Sequence, residues 1–129
     1  QAPALIDRLF AGSAPDEAMR AAVRRARSGG VRTGLLSNSW GTRRYPRELL
    51  AELFDAVTIS GEVGLRKPAP GIYALAAERL RLEPRQCVFV DDLPFNLEPA
   101  AELGMATVHH QQADSTIAEL EQLLGVALV

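Results

Sequence analysis

Residues 87–104 read CVFVDDLPFNLEPAAELG, and this stretch decides the fold class. Four apolar residues, Cys87 to Val90, predict a short strand that is covered on both faces. The acidic pair Asp91-Asp92 closes this strand, and a helix is predicted from Leu97 to Leu103, ending at the glycine that follows. A buried strand that leads through polar residues into a helix is the repeating unit of a parallel α/β sheet.

The same alternation of strand and helix runs through the rest of the chain. Further strands are predicted at Val31–Leu36, Ala56–Ser60 and Ala106–His109, and further helices at residues 13–28, Arg47–Phe54, Ile72–Leu80 and 114–124. Asp114, Ser115 and Thr116 are the candidate caps of the last helix, and Thr116 with Glu119 fits the spacing of a capping box. The order α-β-α-β-α-β-α-β-α predicts a parallel sheet with helices on both faces. Right-handed crossovers then place the carboxyl ends of all strands along one edge, where such sheets bind ligands.

Composition and charge exclude several classes of protein. The chain has 129 residues, 47% of them hydrophobic and 5% aromatic, which is typical of one globular domain. The net charge is −2, and acidic and basic residues are mixed along the chain, so we expect no nucleic-acid partner. The apolar runs are too short for a membrane span.

The single cysteine, Cys87, cannot form an internal disulfide, which is typical of a reducing compartment. No charged-then-apolar leader opens the chain, and we therefore expect a cytoplasmic protein. Because Cys87 begins an apolar run, we interpret it as a buried strand residue and not as a nucleophile.

Polar residues follow the predicted strands at the edge where ligands bind. Ser37-Asn38 ends the first of these strands, Lys67 lies in the loop after the second, and Asp91-Asp92 ends the third. Lys67 is the only lysine among 14 basic residues, which suggests a site that needs a compact ammonium group. Carboxylates with phosphate oxygens are typical Mg²⁺ ligands, while a hydroxyl, an amide N–H and an ammonium group can bind the remaining phosphate oxygens.

Each of these signals also has a purely structural interpretation. Ser37-Asn38 is a common strand-to-loop turn, and one residue of the Asp91-Asp92 pair could cap the next helix. His109-His110 have no partner at metal-ligand spacing, so we interpret them as strand-end residues. Trp40 and Tyr45 are interpreted as packing residues.

The ordered combination resembles a known family. TGLLSNSW (33–40), GLRKPAPGIY (64–73) and VFVDDLPFNLEPAAELGM (88–105) resemble the second, third and fourth motifs of haloacid dehalogenase-like (HAD) hydrolases. Within that superfamily they are most similar to the phosphatase-like N-terminal domain of soluble epoxide hydrolases. The resemblance covers roughly residues 15 to 128, and Asn96 matches a residue close to the family's site.

The resemblance implies a role for each matching position. Ser37 and the backbone of Asn38 correspond to the phosphate-binding position. Lys67 corresponds to the lysine that neutralises the nucleophile and the phosphoryl oxygens. Asp92 corresponds to the Mg²⁺ ligand, with Asp91 as an additional ligand or a residue that supports one.

The family's first motif, a strand ending in Asp-x-Asp, does not occur in this chain. Asp7 follows three apolar residues, but no second acid stands at position 9. We therefore expect the nucleophile to lie outside this chain, residues 1–12 to be the remnant of a helical cap or linker, and residues 13–129 to be a partial α/β core. In the family's strand order, 5-4-1-2-3, such a core lacks its first central strand. Two inner edges would then be unpaired, which predicts self-association or pairing with another chain.

The leading hypothesis is a Rossmann-like HAD hydrolase, a Mg²⁺-dependent phosphatase that acts on a small phosphorylated metabolite through an aspartyl-phosphate. The chain by itself is then expected to be inactive. A non-catalytic binding or regulatory domain of the same fold also predicts the absence of Asp-x-Asp. Two further alternatives fit less well. A haloacid dehalogenase would not need the acidic pair Asp91-Asp92, and a response-regulator receiver would carry its acidic pair after the first strand.

Overall fold

A computed structural model describes residues 3–7, 17–37, 47–59 and 70–128. Among the residues singled out above, those outside these ranges are Asn38, Trp40, Tyr45 and Lys67. The described ranges contain Ser37, Asp91, Asp92 and Asn96.

Five strands form one sheet in the described part of the chain. They are β1 (Ala4–Asp7), β2 (Arg32–Ser37), β3 (Ala56–Ile59), β4 (Cys87–Asp91) and β5 (Ala106–His109). The strands lie in the order β3-β2-β1-β4-β5. Every pairing is parallel, so the carboxyl ends of the strands share one edge of the sheet.

Helices cover both faces of this sheet. They are α1 (Glu17–Ser28), α2 (Arg47–Leu53), α3 (Pro70–Arg79), α4 (Pro94–Glu102) and α5 (Ala113–Leu124), with a short 3₁₀ helix at Pro84–Gln86. Apolar residues of α1, α2 and α5 pack on one face of the sheet, and those of α3 and α4 pack on the other. The predicted α/β, Rossmann-like fold is therefore confirmed. Within the described ranges, no helix is both long enough and apolar enough to cross a bilayer.

The expectation of a sheet without its first central strand is wrong. Ala4–Asp7 pairs with β2 on one side and with β4 on the other, in the middle of the sheet. Leu5 packs into the core on the α1 side, whereas Ala4 and Ile6 pack into the core on the α3 side, and all three are at most 1% exposed. These four residues are thus core and not the remnant of a cap, because both of their faces are covered and both of their edges are hydrogen-bonded. The domain boundary near residue 12 remains a prediction.

Strand β1 also bears on the predicted pairing with another chain, which assumed two unpaired inner edges. Both inner edges, on β2 and on β4, are occupied by β1. The outer edges of the described sheet belong to β3 and β5, which are four residues long each. Very short edge strands offer little surface for edge-to-edge association.

Helix starts account for most of the remaining differences from the predicted elements. Helix α4 begins at Pro94, three residues before the predicted Leu97, because proline is favoured in the first turn, where its missing N–H is not needed. Helix α5 begins at Ala113 after the cap residue Gln112, which makes no side-chain capping bond. The predicted capping box at Thr116 is therefore wrong, since Thr116 lies inside the helix and is buried.

An arginine on α1 fixes the position of α2. The Arg27 guanidinium contacts the Asp55 carboxylate at 3.0 Å. It also donates hydrogen bonds to the carbonyls of Ala51 and Glu52, at 2.6 and 2.8 Å. These carbonyls end α2 and have no partner within the helix, so one planar group both caps the helix and pairs with the acid that follows it.

Candidate active site

Three polar residues end the three inner strands of the sheet. Asp7 is the last residue of β1, Ser37 of β2 and Asp91 of β4. They are buried, with exposed fractions of 3%, 1% and 0%. Because the strands are parallel neighbours, all three lie at the same edge, within one or two strand spacings of ~4.8 Å. The prediction that Ser37 and Asp91 lie at this edge is confirmed.

The alternation of side chains assigns these residues to the two faces of the sheet. Leu5 and Leu35 pack into the core on the α1 side. Asp7 and Ser37, two residues further along each strand, therefore lie on that same side. Asp91 has the parity of Phe89, which packs into the core on the α3 side. The carboxylates of Asp7 and Asp91 thus approach the edge from opposite faces of adjacent strands.

The turn after β4 is held by hydrogen bonds. The backbone N–H of Leu93 donates to the Asp91 carboxylate at 3.1 Å. The backbone N–H of Asn96 donates to the Leu93 carbonyl at 3.0 Å. Asp92, between them, is exposed. This arrangement keeps one carboxylate buried in the turn and presents the next one to solvent at the strand end.

Tyr73 of α3 binds the segment that follows this turn. Its hydroxyl donates a hydrogen bond to the Asn96 carbonyl at 2.8 Å. Its ring is fully buried and contacts the Phe89 ring edge-on, with centroids 5.2 Å apart. Burial, and secondarily the negative charge of Asp91, raises the pKa of Tyr73 well above its usual range. The phenol therefore stays protonated and remains a donor.

Asn96, predicted from the resemblance to lie close to the site, is in the first turn of α4 and is buried. Its backbone joins the turn after β4 to Tyr73 of α3. Lys67 lies outside the described residues, three positions before Pro70, the first residue of α3. Its predicted role stays a prediction.

The donor chemistry at this edge fits a hard cation. Asp7, Asp91 and Asp92 offer only oxygen ligands, which Mg²⁺ prefers. Buried carboxylates on neighbouring strands also repel each other unless a proton or a cation offsets their charge. Within the described ranges, no three or more His, Cys, Asp or Glu side chains are grouped as a metal site. A cation bound here would therefore rely on one or two carboxylates together with water and phosphate, as is usual for Mg²⁺.

The other reactive side chains are Cys87, which lies away from this edge, and His109 and His110, which lie beside it. Cys87 is buried at the start of β4, at the opposite end from Asp91, and burial raises its pKa to about 11. Its interpretation as a core residue and not a nucleophile is consistent with this position. His109 ends β5, as predicted, and its Nε2 lies 3.1 Å from the Asp92 carbonyl oxygen. His110 Nδ1 lies 2.7 Å from the Thr116 hydroxyl.

Asp7 is the residue that sequence reasoning passed over. Position 9 holds leucine, so no Asp-x-Asp motif marks Asp7 in the sequence. The structure places Asp7 at the carboxyl end of the central strand, opposite Leu35 on one side and Val90 on the other. The sequence signal for Asp7 is the apolar run Ala4 to Ile6, which ends in a single aspartate.

Comparisons with known proteins agree with this geometry. A family model described as haloacid dehalogenase-like hydrolase matches residues 6–104. The chain is 38% identical over 107 residues to bifunctional epoxide hydrolase 2 of Sus scrofa, covering 78% of the chain and 19% of that protein. The chain therefore spans about a fifth of the length of this curated relative.

Two solved structures show the same fold. An uncharacterized protein from Corynebacterium glutamicum superimposes with a TM-score of 0.86 and 32% identity, covering 98% of this chain and 97% of that one. A HAD family enzyme from Bacteroides thetaiotaomicron, in complex with magnesium and inorganic phosphate, gives a TM-score of 0.60 and 26% identity, covering 69% of this chain and 49% of that one. The chain belongs to the haloacid dehalogenase-like hydrolases, as its match to the family model, its strand order and its relatives show.

Proposed function

We propose that this chain is a Mg²⁺-dependent phosphatase that acts on small phosphate monoesters through a covalent aspartyl-phosphate. One observation carries the proposal: the buried carboxylate of Asp7 ends the central strand, between the strands that end in Ser37 and Asp91. The magnesium and phosphate bound to the Bacteroides enzyme of the same fold support the choice of ligands. The expectation of a nucleophile outside this chain rests on the absence of Asp-x-Asp, whereas the place of Asp7 at the end of the central strand supports Asp7 itself as the nucleophile.

The proposed chemistry has two balanced steps. A carboxylate oxygen of Asp7 attacks phosphorus, the bond from phosphorus to the leaving oxygen breaks, and the alkoxide or phenolate departs and takes a proton from water. Water then attacks the phosphorus of the acyl phosphate, which releases inorganic phosphate and a proton and restores the carboxylate. A divalent cation bound at this edge would offset the charge of the phosphoryl oxygens.

We assign the remaining predicted site residues to the phosphoryl group and to the cation. Ser37 supplies a hydroxyl at the end of β2, beside β1. Lys67 and the backbone of Asn38 are proposed to bind the remaining phosphoryl oxygens, as the resemblance implies. Asp92, which is exposed at the end of β4, is the proposed principal Mg²⁺ ligand. Asp91 is the proposed second ligand.

Turnover of p-nitrophenyl phosphate by the chain tests the proposal, with Asp7→Asn as the decisive variant. The wild-type chain should hydrolyse the ester only with Mg²⁺ present, and trapped protein should carry one phosphate on Asp7 by mass spectrometry. Asp7→Asn should lower kcat by at least about 10³-fold, because the amide is not a nucleophile. Equal activity of Asp7→Asn would mean that the nucleophile lies elsewhere.

A non-catalytic binding domain is the second candidate, and Leu9 is the observation that favours it. In the family, the second acid of Asp-x-Asp protonates the leaving group, and this chain has leucine at that position. A binding domain would take up Mg²⁺ and inorganic phosphate, measured by calorimetry, without any turnover of p-nitrophenyl phosphate. Detectable Mg²⁺-dependent turnover that Asp7→Asn abolishes would exclude it.

A further inference from the structure

A continuous path of hydrogen bonds joins α3 to the Asp91 carboxylate. The Tyr73 hydroxyl donates to the Asn96 carbonyl at 2.8 Å, and the Asn96 amide donates to the Leu93 carbonyl at 3.0 Å. The Leu93 amide in turn donates to the Asp91 carboxylate at 3.1 Å. Asn96 and Leu93 each accept one of these bonds through the carbonyl and donate the next through the backbone amide, so displacement of one residue moves the next.

The end of the path at Tyr73 is rigid. The ring is fully buried, together with Ile72, Ala76 and Ala77 of the same helix. Its edge contact with Phe89 attaches it to the strand that carries Asp91 two residues later. A packed aromatic ring has few alternative rotamers, so the hydroxyl is held in one position next to the Asn96 carbonyl.

We propose that Tyr73 is a positioning residue for the metal-binding carboxylates, which sets the orientation of Asp91 and Asp92 through Asn96 and Leu93. This inference rests on the proposed function, because it assumes that the Asp91-Asp92 turn binds Mg²⁺. Helix α3 begins at Pro70, three positions after Lys67 in the sequence, and the Tyr73 hydrogen bond ties the first turn of this helix to the acidic turn. Removal of a group that supports a metal ligand in this way commonly weakens metal binding by about 10–100-fold.

The test compares Tyr73→Phe with a matched control, Thr33→Val. Tyr73→Phe keeps the buried ring and removes only the hydroxyl. Thr33→Val removes a buried hydroxyl that donates to the Leu53 carbonyl at 2.6 Å, at the amino-terminal end of β2, away from the acidic turn. Both variants lose one buried hydrogen bond, and both should lower the Tm by a similar amount, about 3–6 °C.

Only Tyr73→Phe should disturb the acidic turn. Titration with Mg²⁺ alone should show affinity about tenfold weaker than wild type, while Thr33→Val binds as wild type does. Amide hydrogen exchange at Leu93 should be about tenfold faster in Tyr73→Phe, without any metal or substrate present. With p-nitrophenyl phosphate at fixed Mg²⁺ below saturation, kcat should fall and KM should stay unchanged.

The outcomes separate this inference from the proposed function. If the wild-type chain binds Mg²⁺ and Tyr73→Phe binds it equally well, Tyr73 is a structural residue and the inference is overturned while the function stands. If Thr33→Val weakens Mg²⁺ binding as much as Tyr73→Phe does, general destabilisation is the cause and the inference is again overturned. If the wild-type chain binds no Mg²⁺, the proposed function and the inference fall together.

Discussion

Asp7 lies opposite Val90 in the parallel pairing of β1 with β4, so Asp7 and Asp91 end adjacent strands with an offset of one residue. The offset places the two carboxylates on opposite faces of the sheet at the same edge. Asp7 is accordingly on the side of Ser37, and Asp91 is on the side of Tyr73. The two carboxylates therefore reach the ligand-binding edge from opposite sides of the sheet, one beside Ser37 and the other on the side of Tyr73.

Binding of Mg²⁺ should stabilise the fold through Asp92. At a Mg²⁺ concentration ten times the Kd, the gain in unfolding free energy is about 1.4 kcal/mol, because only the folded state brings the ligands together. Thermal unfolding at constant ionic strength, with and without Mg²⁺, measures this gain. Asp92→Asn should abolish it, whereas Glu102→Gln, an exposed carboxylate at the end of α4, should retain it. An equal Mg²⁺ response in Asp92→Asn would rule out Asp92 as the principal ligand.

The leucine at position 9 should make the rate depend strongly on the leaving group. Without a general acid, p-nitrophenyl phosphate should be hydrolysed at least about 100-fold faster than glycerol phosphate, because only nitrophenolate departs readily unprotonated. Leu9→Asp should raise the rate for glycerol phosphate. Leu9→Asn should not, because asparagine has the shape of aspartate but no proton to donate to the leaving oxygen as an acid. Measuring kcat for the two esters with the three proteins tests whether the chain lacks a general acid at position 9. Similar rates for both esters in the wild-type chain would mean that another residue supplies the proton.

Arg27 should contribute more to stability than its neighbour Arg24. Arg24 makes one exposed ion pair with Glu52, so Arg24→Ala should cost less than about 1 kcal/mol. Arg27→Ala also removes the hydrogen bonds to the carbonyls that end α2 and should cost about 1–3 kcal/mol. Arg27→Lys should recover only part of the loss, since an ammonium group cannot span these acceptors. Urea unfolding of the three variants measures the differences, and equal losses for Arg24→Ala and Arg27→Ala would contradict this assignment.

Cys87 should make the fold weaken at alkaline pH. Burial raises the pKa of its thiol from 9.0 to about 11, and the neutral thiol lies 3.6 Å from the Glu83 carbonyl oxygen, to which it donates. The folded pKa exceeds the unfolded one, so this contribution is complete below pH 9 and is lost as pH rises towards 11. The unfolding free energy of the wild-type chain should fall more steeply in that window than that of Cys87→Ser, by up to roughly 1.4 kcal/mol per pH unit. Parallel pH profiles for the two proteins would show that the Cys87 thiol ionises equally in both states.

The sequence predicted those elements whose pattern is long enough to be periodic. Met19, Ala22, Val23 and Ala26 are buried along α1, as their spacing indicated. Four apolar residues before Asp91-Asp92 sufficed for β4, because the helix that follows it is also evident. Strand β1 escaped detection because three apolar residues before Asp7 carry no period, and only pairing with distant strands makes them a strand.

The candidate site was predictable to the extent that it follows strand ends. Ser37 and Asp91 could be assigned to one edge from chain order alone, and the structure places both there. The support that Tyr73 gives to the Asp91 turn was not predictable, because it joins two helices through a backbone carbonyl that has no sequence signature. Asp7 was not predictable as a site residue, because leucine at position 9 leaves it without the second acid of an Asp-x-Asp motif.

The pairing of Ala4 with Cys87 sets the order in which the sheet can assemble during synthesis. Strands β2 and β3 with their helices are close in sequence and can associate as soon as they leave the ribosome. Strand β1 precedes the other four described strands in the chain, yet one of its two edges stays open until β4 has been translated. The nascent chain therefore carries a central strand with one unpaired edge until residues 87–91 have been made, and in this interval that edge is exposed to chaperones and to aggregation.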